Sequence, residues 1–275
     1  FKKQRLPAGV RLVGVARRDW SDDQFRDRLR DGVRQNGAAF DENTWSAFAA
    51  NIGYFRGNLE VGESFRRLQS HLIGLENRPT DRLYYLATAP DFYGPACDHL
   101  AAAGMTTEAN GQRRIIIEKP FGRDLGSARE LNRQVHAAFR EDQVYRIDHY
   151  LGKETAQNIL FLRFANTIFE PVWNRRYVAN IQVTVAESVD IGRRAGYYEK
   201  AGVLRDMFQN HLLQLLALVT MEPPASLSAD AIRNERVKVL SAVRPIRLED
   251  TVRAQYDGYR SVDGVSADSR TPTFA

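Results

Sequence analysis

The spacing of hydrophobic and polar residues divides the chain into two parts with different predicted architectures. In the first part, short apolar runs alternate with longer stretches that have one apolar face. These patterns predict strands at Arg11–Ala16, Arg82–Thr88, Arg113–Lys119 and Val144–Asp148, and helices at Ser21–Arg34, Asp41–Ile52, Glu63–Leu75, Pro90–Ala103 and Asp124–Phe139. Apolar strands that alternate with helices indicate a parallel sheet covered on both faces. We therefore predict a doubly wound α/β domain for residues 1–147.

The second part of the chain has a different pattern. Glu154–Phe164 predicts an amphipathic helix, and Val203–Val219 predicts a long apolar one. Apolar and polar residues alternate along Val178–Glu187, which favours a half-buried strand of an antiparallel sheet. We therefore predict that residues 148–275 form an α+β domain with a largely antiparallel sheet.

Charge and cysteine content narrow the possible functions. The 275 residues carry 39 Lys and Arg against 34 Asp and Glu, a net charge of +5, and the cations are scattered among acidic residues. This arrangement favours solvated helix faces and anionic small ligands over nucleic acid. No apolar run is long enough to span a membrane. The single cysteine, Cys97, excludes an intrachain disulfide and a cysteine-based zinc site, which fits a reducing, cytoplasmic location.

Ligands of parallel α/β sheets bind beyond the carboxyl ends of the strands, and two cations lie there. Arg17 follows the first predicted strand and could bind a 2′-phosphate through paired hydrogen bonds, although a solvated arginine is the alternative. Lys119 ends the third predicted strand and could hold a hydroxyl or a phosphate. The Lys119–Pro120 bond is a candidate for the cis form. The chain has no Gly-x-Gly-x-x-Gly motif, and we expect a further strand ahead of Phe1.

A dense cluster of reactive side chains follows the fourth predicted strand. Asp148, His149, Tyr150 and Lys153 supply a carboxylate, an imidazole, a phenol and an ammonium group within six residues. His149 and Lys153 are four residues apart, so a helical turn would bring them to one side. Backbone N–H groups at a helix start would add to a phosphate site. A polar linker is the alternative, but the density of these groups favours a functional site.

Three further ionisable residues belong to the second predicted domain. Apolar residues before and after His211 follow at helical spacing, which places His211 on or beside a buried helix face. A hydrogen-bonded core histidine is the simpler interpretation, but Asp206 shortly before it makes this turn unusually polar. Glu187 ends the apolar face of the predicted strand, where burial without a partner would be costly.

Three segments resemble the signatures of the glucose-6-phosphate dehydrogenase family: EKPFGRDL at Glu118–Leu125, RIDHYLGKE at Arg146–Glu154 and RDMFQNHLLQ at Arg205–Gln214. Their order and spacing also match, and the similarity covers the whole chain. RIDHYLGKE is the most specific of the three, whereas EKP occurs in other sugar oxidoreductases. The resemblance implies a Rossmann-like NADP-binding domain, a homodimer or homotetramer, and oxidation of D-glucose 6-phosphate to 6-phosphogluconolactone in the pentose phosphate pathway.

The resemblance also implies residue roles. His211 matches the general base, and Asp148 matches the carboxylate that orients it. The implied substrate ligands are His149, Tyr150 and Lys153 for the phosphate, Glu187 and Asp206 for sugar hydroxyls, and Lys119 near both sugar and nicotinamide. Arg17 matches the residue that binds the NADP 2′-phosphate, and Tyr93 matches a cofactor contact. No residue spacing suggests a metal site.

The chain departs from the family pattern at three places. The glycine-rich turn expected before Phe1 is absent, as is the segment that supplies further substrate lysines after Ala275. The segment Ala87–Phe92 reads ATAPDF instead of the usual double-proline form. We therefore expect the intact protein, but not this span alone, to form NADPH from glucose 6-phosphate.

Two other functions compete with this one. An NAD(P)-dependent sugar oxidoreductase of the inositol dehydrogenase type would share the EKP segment, but it would not need a phosphate cluster at His149–Lys153. A non-catalytic basic binding protein on a degenerate dehydrogenase scaffold would tolerate loss of His211.

Overall fold

The computed structural model describes residues 6–7, 9–36 and 40–275. The chain divides into two compact units, unit 1 (Phe1–Arg146) and unit 2 (Ile147–Ala275). The division falls one residue before the end of the first domain that the sequence predicts.

Unit 1 contains two small parallel sheets. Its elements are β1 (Leu12–Ala16), α1 (Asp22–Asn36), α2 (Glu42–Ala49), β2 (Ile52–Arg56), α3 (Gly62–Leu75), β3 (Arg82–Leu86), α4 (Tyr93–Ala102), β4 (Arg113–Ile117), α5 (Leu125–Ala138) and β5 (Val144–Arg146). β1 pairs with β2, and β3, β4 and β5 form a sheet in that order, with parallel pairing throughout. The prediction of parallel pairing is confirmed. Among the described residues, however, the strands form two sheets and not one.

Local sequence explains where several of these elements begin and end. Ser21 caps α1: its hydroxyl accepts a hydrogen bond from the Gln24 backbone N–H, and the Gln24 side chain accepts one from the Ser21 N–H. Such reciprocal bonds satisfy N–H groups that a helix start leaves unpaired. The predicted helix Asp41–Ile52 is too long, because Ile52 instead begins β2 and pairs with Leu12 of β1.

The main core of unit 1 lies on one face of the β3–β4–β5 sheet. Ile115 and Ile117 of β4 are almost completely buried, together with Cys97 of α4. Burial raises the pKa of the Cys97 thiol to about 12, so this cysteine packs as a small apolar side chain. On the opposite face, Leu83 and Tyr85 remain 61% and 54% exposed. The exposure of these two side chains does not support cover at their positions, and the predicted cover of both faces stays a prediction.

Unit 2 is mainly helical. Its longer elements are α6 (Glu154–Phe164), α7 (Ala195–Val203), a π-helix (Leu204–Leu212), α8 (Leu213–Thr220) and α9 (Ala229–Ala242). The predicted helix Val203–Val219 is confirmed as helical, but its first half has π geometry. Gly202, with φ +62°, interrupts the end of α7. No helix among the described residues is both long and apolar enough to cross a membrane.

The predicted antiparallel sheet does not form among the described residues of unit 2. Val178–Glu187 belongs to no strand, and the antiparallel pairing present is an isolated bridge between Ala254 and Phe274. An alternating pattern supplies the two faces of a strand, but a sheet also needs a neighbouring strand to pair its backbone groups. No described segment provides that neighbour for Val178–Glu187.

Candidate active site

A tight turn after β5 carries four of the predicted site residues. Asp148 Oδ1 accepts a hydrogen bond from the Tyr150 backbone N–H at 2.9 Å. The backbone N–H groups of Leu151, Gly152 and Lys153 each donate a hydrogen bond to the carbonyl three residues earlier, so the turn continues as far as Lys153. Lys153 directly precedes α6. The short polar side chain of Asp148 thus shapes the turn, as is common for aspartate.

His211 of the π-helix contacts this turn. Its ring is fully buried, and Nδ1 lies 2.5 Å from Asp148 Oδ1. The ring also stacks on Tyr150, with centroids 4.2 Å apart and planes 20° apart. Because an ionised carboxylate only accepts hydrogen bonds, Nδ1 carries a proton, and in the neutral imidazole Nε2 keeps its lone pair. This is the arrangement of a histidine general base oriented by a carboxylate.

Tyr150 links the other predicted substrate ligands. Its hydroxyl donates to Glu187 Oε1 at 2.5 Å, and burial together with this carboxylate raises the pKa of Tyr150 to about 12. Lys153 Nζ lies 3.7 Å from the Tyr150 ring centroid, and the His149 ring meets it edge-on at 4.9 Å. Residues that are predicted to hold phosphate and a sugar hydroxyl are thus grouped around one phenol ring, beside His211.

Asp206, predicted to hold a sugar hydroxyl, lies in the same π-helix as His211. Its side chain is 2% exposed, and both carboxylate oxygens lie 2.8 Å from Arg194 Nη2. Sequence reasoning missed Arg194, because the ion pair joins two separate helical segments and no local pattern signals it.

A second arginine that sequence reasoning missed comes from α9. Arg236 donates a hydrogen bond to the side chain of Gln214, which lies one turn after His211. Burial lowers the pKa of Arg236, whereas the negative charge of Asp148 opposes that shift. The pair of His211 and Asp148 therefore has a cation in its surroundings, and the sequence analysis did not predict the helix that supplies it.

Three potential metal ligands meet in this region. Asp148, His149 and His211 each offer a ligand atom, and these atoms lie within 4.8 Å of one another. The hydrogen bond between Asp148 and His211 already engages two of the three groups. The expectation that the site needs no metal stays a prediction.

The residues predicted to contact cofactor lie in unit 1. Arg17 follows β1 and is exposed, and Arg18 beside it packs 5.0 Å from the Trp20 ring centroid. Lys119 follows β4, and the Lys119–Pro120 bond is cis, as the sequence suggests. Tyr93 is 1% exposed within the main core. This burial does not support the predicted contact between its ring and a cofactor.

Cavity shape does not identify the site in unit 2. Two cavities of about 570 and 440 Å³ are lined by residues of other segments, and neither lining contains a predicted site residue. The side-chain contacts around His211 are the stronger indication of function.

Comparisons with known proteins agree with these signatures. Residues 1–158 match the family model described as glucose-6-phosphate dehydrogenase, NAD binding domain, and residues 160–275 match its C-terminal domain. The chain is 44% identical to glucose-6-phosphate 1-dehydrogenase of Bacillus subtilis over 280 residues, which is 96% of this chain and 56% of that protein. It is 43% identical to the cytoplasmic glucose-6-phosphate 1-dehydrogenase 5 of Arabidopsis thaliana, over 98% and 54% of the two chains.

Solved structures give the same result. The Mycobacterium avium glucose-6-phosphate 1-dehydrogenase matches with a TM-score of 0.89 and 36% identity, over 99% of this chain and 58% of that one. A glucose-6-phosphate dehydrogenase in complex with its substrate glucose-6-phosphate matches with the same TM-score, 35% identity and the same coverage. The chain spans a little over half the length of these relatives. Both halves of the chain match one family, so the chain belongs to the glucose-6-phosphate dehydrogenase family.

Proposed function

We propose that the protein oxidises D-glucose 6-phosphate to 6-phosphogluconolactone with hydride transfer to NADP, the first step of the oxidative pentose phosphate pathway. The observation that carries this proposal is the 2.5 Å contact between His211 Nδ1 and Asp148 Oδ1 in a chain of this family. The matched relatives are named for this activity, and one of the matching structures contains glucose-6-phosphate as its substrate.

In the proposed reaction, His211 acts as the general base. Nε2 accepts the proton of the anomeric hydroxyl, and Asp148 holds the tautomer and stabilises the imidazolium that forms. A bound nicotinamide cofactor supplies the hydride acceptor. Burial of the ring and its stacking on Tyr150 keep the base in one orientation.

We propose that the remaining predicted ligands of unit 2 hold the substrate. His149, Tyr150 and Lys153 bind the 6-phosphate, because an ammonium group, an imidazole and a phenol with a pKa of about 12 all donate hydrogen bonds at neutral pH. The single O–H of Tyr150 exchanges its hydrogen bond to Glu187 for one to the phosphate when the sugar binds. Glu187 and Asp206 accept hydrogen bonds from sugar hydroxyls.

We assign cofactor binding to unit 1. An exposed cation after a parallel strand suits a 2′-phosphate, so Arg17 supports NADP over NAD. Lys119 keeps the role that the family resemblance implies, as a ligand of both cofactor and sugar. Among the predicted cofactor contacts, Tyr93 has the weakest support because of its burial.

The family resemblance supports several coarser proposals. We propose a homodimer or homotetramer, a cytoplasmic location like that of the named Arabidopsis relative, and a division into an NADP-binding domain (1–147) and a substrate domain (148–275). The largely antiparallel sheet predicted for the second domain stays a proposal, with Val178–Glu187 as one of its strands.

Lys153→Ala tests the phosphate site and thereby the substrate class. We expect the KM for glucose 6-phosphate in the intact protein to rise by about 10–100-fold, because losing a hydrogen bond to a charged group costs about 1.5–3 kcal/mol. Turnover of unphosphorylated glucose should not change. Steady-state assays with both sugars measure this, with Lys238→Ala on α9 as the matched control. Equal losses for both sugars would favour a dehydrogenase that does not recognise phosphate.

Tyr150→Phe tests the contribution of the Tyr150 hydroxyl separately from that of its ring. Phenylalanine keeps the stack on His211 but loses the hydrogen bonds of the phenol, so we expect KM for glucose 6-phosphate to rise by about tenfold with kcat nearly constant. Because the pKa of Tyr150 is about 12, its hydroxyl stays protonated at neutral pH. The KM of the variant divided by that of the unchanged protein should therefore be constant from about pH 6 to 9. A ratio that varies across this range would contradict the assignment.

A further inference from the structure

Arg194 and Asp206 form an unequal ion pair. The Asp206 side chain is 2% exposed, whereas the Arg194 side chain is 55% exposed. One guanidinium nitrogen, Nη2, lies 2.8 Å from both carboxylate oxygens. Arg194 belongs to the short turn before α7, so the cation reaches a buried acid from a different segment.

A buried carboxylate needs such a partner. Exposed ion pairs stabilise a protein little, but an ionised acid inside the protein is strongly disfavoured unless it is paired and hydrogen-bonded. Burial raises the pKa of Tyr198 to about 12, and the charge of Asp206 adds to that shift.

The position of Asp206 gives the pair a role beyond stability. Asp206 and His211 lie five residues apart in one π-helix, and π-helical segments are frequent at functional sites. A carboxylate that accepts hydrogen bonds from sugar hydroxyls must be both charged and fixed in orientation. In this structure, Arg194 contacts both of its oxygens.

We propose that Arg194 is a positioning residue for the sugar, which holds the Asp206 carboxylate in the orientation that accepts hydrogen bonds from sugar hydroxyls. This inference rests on the proposed function, in which Asp206 is a sugar ligand. Arg194 acts through Asp206 and needs no contact with the substrate. Lysine also supplies a positive charge, but its flexible stem is less preorganised than the planar guanidinium, so it replaces arginine incompletely.

The test is a double-mutant cycle on sugar binding, read without turnover. The Kd of glucose 6-phosphate is measured by calorimetry for the intact protein, for Arg194→Ala, for Asp206→Asn and for the double variant. We expect Arg194→Ala to weaken binding by about tenfold, and Arg194→Lys to recover part of this loss. In the Asp206→Asn background, we expect Arg194→Ala to change Kd by less than about twofold, because residues that act as a unit are not additive. Arg244→Ala, at an exposed position, is the matched control.

The other outcomes overturn the proposal. Additive losses would show that Arg194 affects the sugar independently of Asp206, and unchanged binding by Arg194→Ala would make the ion pair merely structural. If Arg194→Ala does not fold, the same cycle with Arg194→Lys decides by the same criterion. Failure of the proposed function appears separately, as no formation of NADPH from glucose 6-phosphate by the unchanged protein.

Discussion

We expect that replacing His211 with asparagine will lower kcat for glucose 6-phosphate by about 10²–10⁴-fold, the usual contribution of a positioned general base. Asparagine has a similar size and remains polar, but it cannot take a proton from the anomeric hydroxyl. The KM for the sugar phosphate and for the cofactor should change little, because binding uses other side chains. Initial rates of NADPH formation by the intact protein measure the effect.

His136→Asn is the matched control for this substitution. His136 lies on α5 in unit 1, where its ring is hydrogen-bonded to Glu141, and no proposed step uses it. We expect its kcat to remain within about twofold of that of the unchanged protein, as for surface substitutions in general. If His211→Asn retained full turnover, His211 would be a core histidine and not the general base.

Asp148→Asn gives the second large effect. The same change in a Ser-His-Asp triad costs about 10⁴-fold in kcat, because the amide no longer selects the reactive tautomer of the histidine. We expect a loss of about 10²-fold or more here, since His211 Nδ1 depends on Asp148 in the same way. Initial rates at saturating substrate measure the loss, and Asp263→Asn at an exposed position is the control.

The double variant His211→Asn, Asp148→Asn provides a further check. If Asp148 acts through His211, the two losses should not multiply, and the double variant should turn over about as slowly as His211→Asn alone. Multiplied losses would assign Asp148 an independent role, such as a direct contact with the sugar.

Much of unit 1 could be predicted because its strands are short apolar runs between polar residues. The predicted strand Arg113–Lys119 became β4 (Arg113–Ile117), for example. β2 was missed because the predicted helix was extended as far as Ile52, and the strand identity of Ile52–Arg56 depends on pairing with β1, which local sequence does not encode. The exposure of Leu83 and Tyr85 was missed for a similar reason, because an apolar side chain indicates a preference for burial but does not indicate which element would cover it.

The site was only partly predictable from local pattern. Helical spacing placed His211 on or beside a buried face but could not distinguish a core residue from a base. The family resemblance supplied its pairing with Asp148, and the structure contains that contact. Local sequence gave no indication of the roles of Arg194 and Arg236, because a solvated arginine and an arginine near a buried acid have the same local pattern. Only the folded structure brings the distant segments together.

The π-helix Leu204–Leu212 makes the site sensitive to chain length. In an α-helix, residues five apart point in directions about 140° different, since each residue turns the chain by about 100°. In a π-helix the hydrogen bonds join residues five apart, so Asp206 and His211 come close to alignment. Inserting a single residue between them would place them six apart, which in ordinary α-helical winding turns their directions about 120° from each other and rotates the acid away from the imidazole. This stretch should therefore tolerate substitutions far better than insertions.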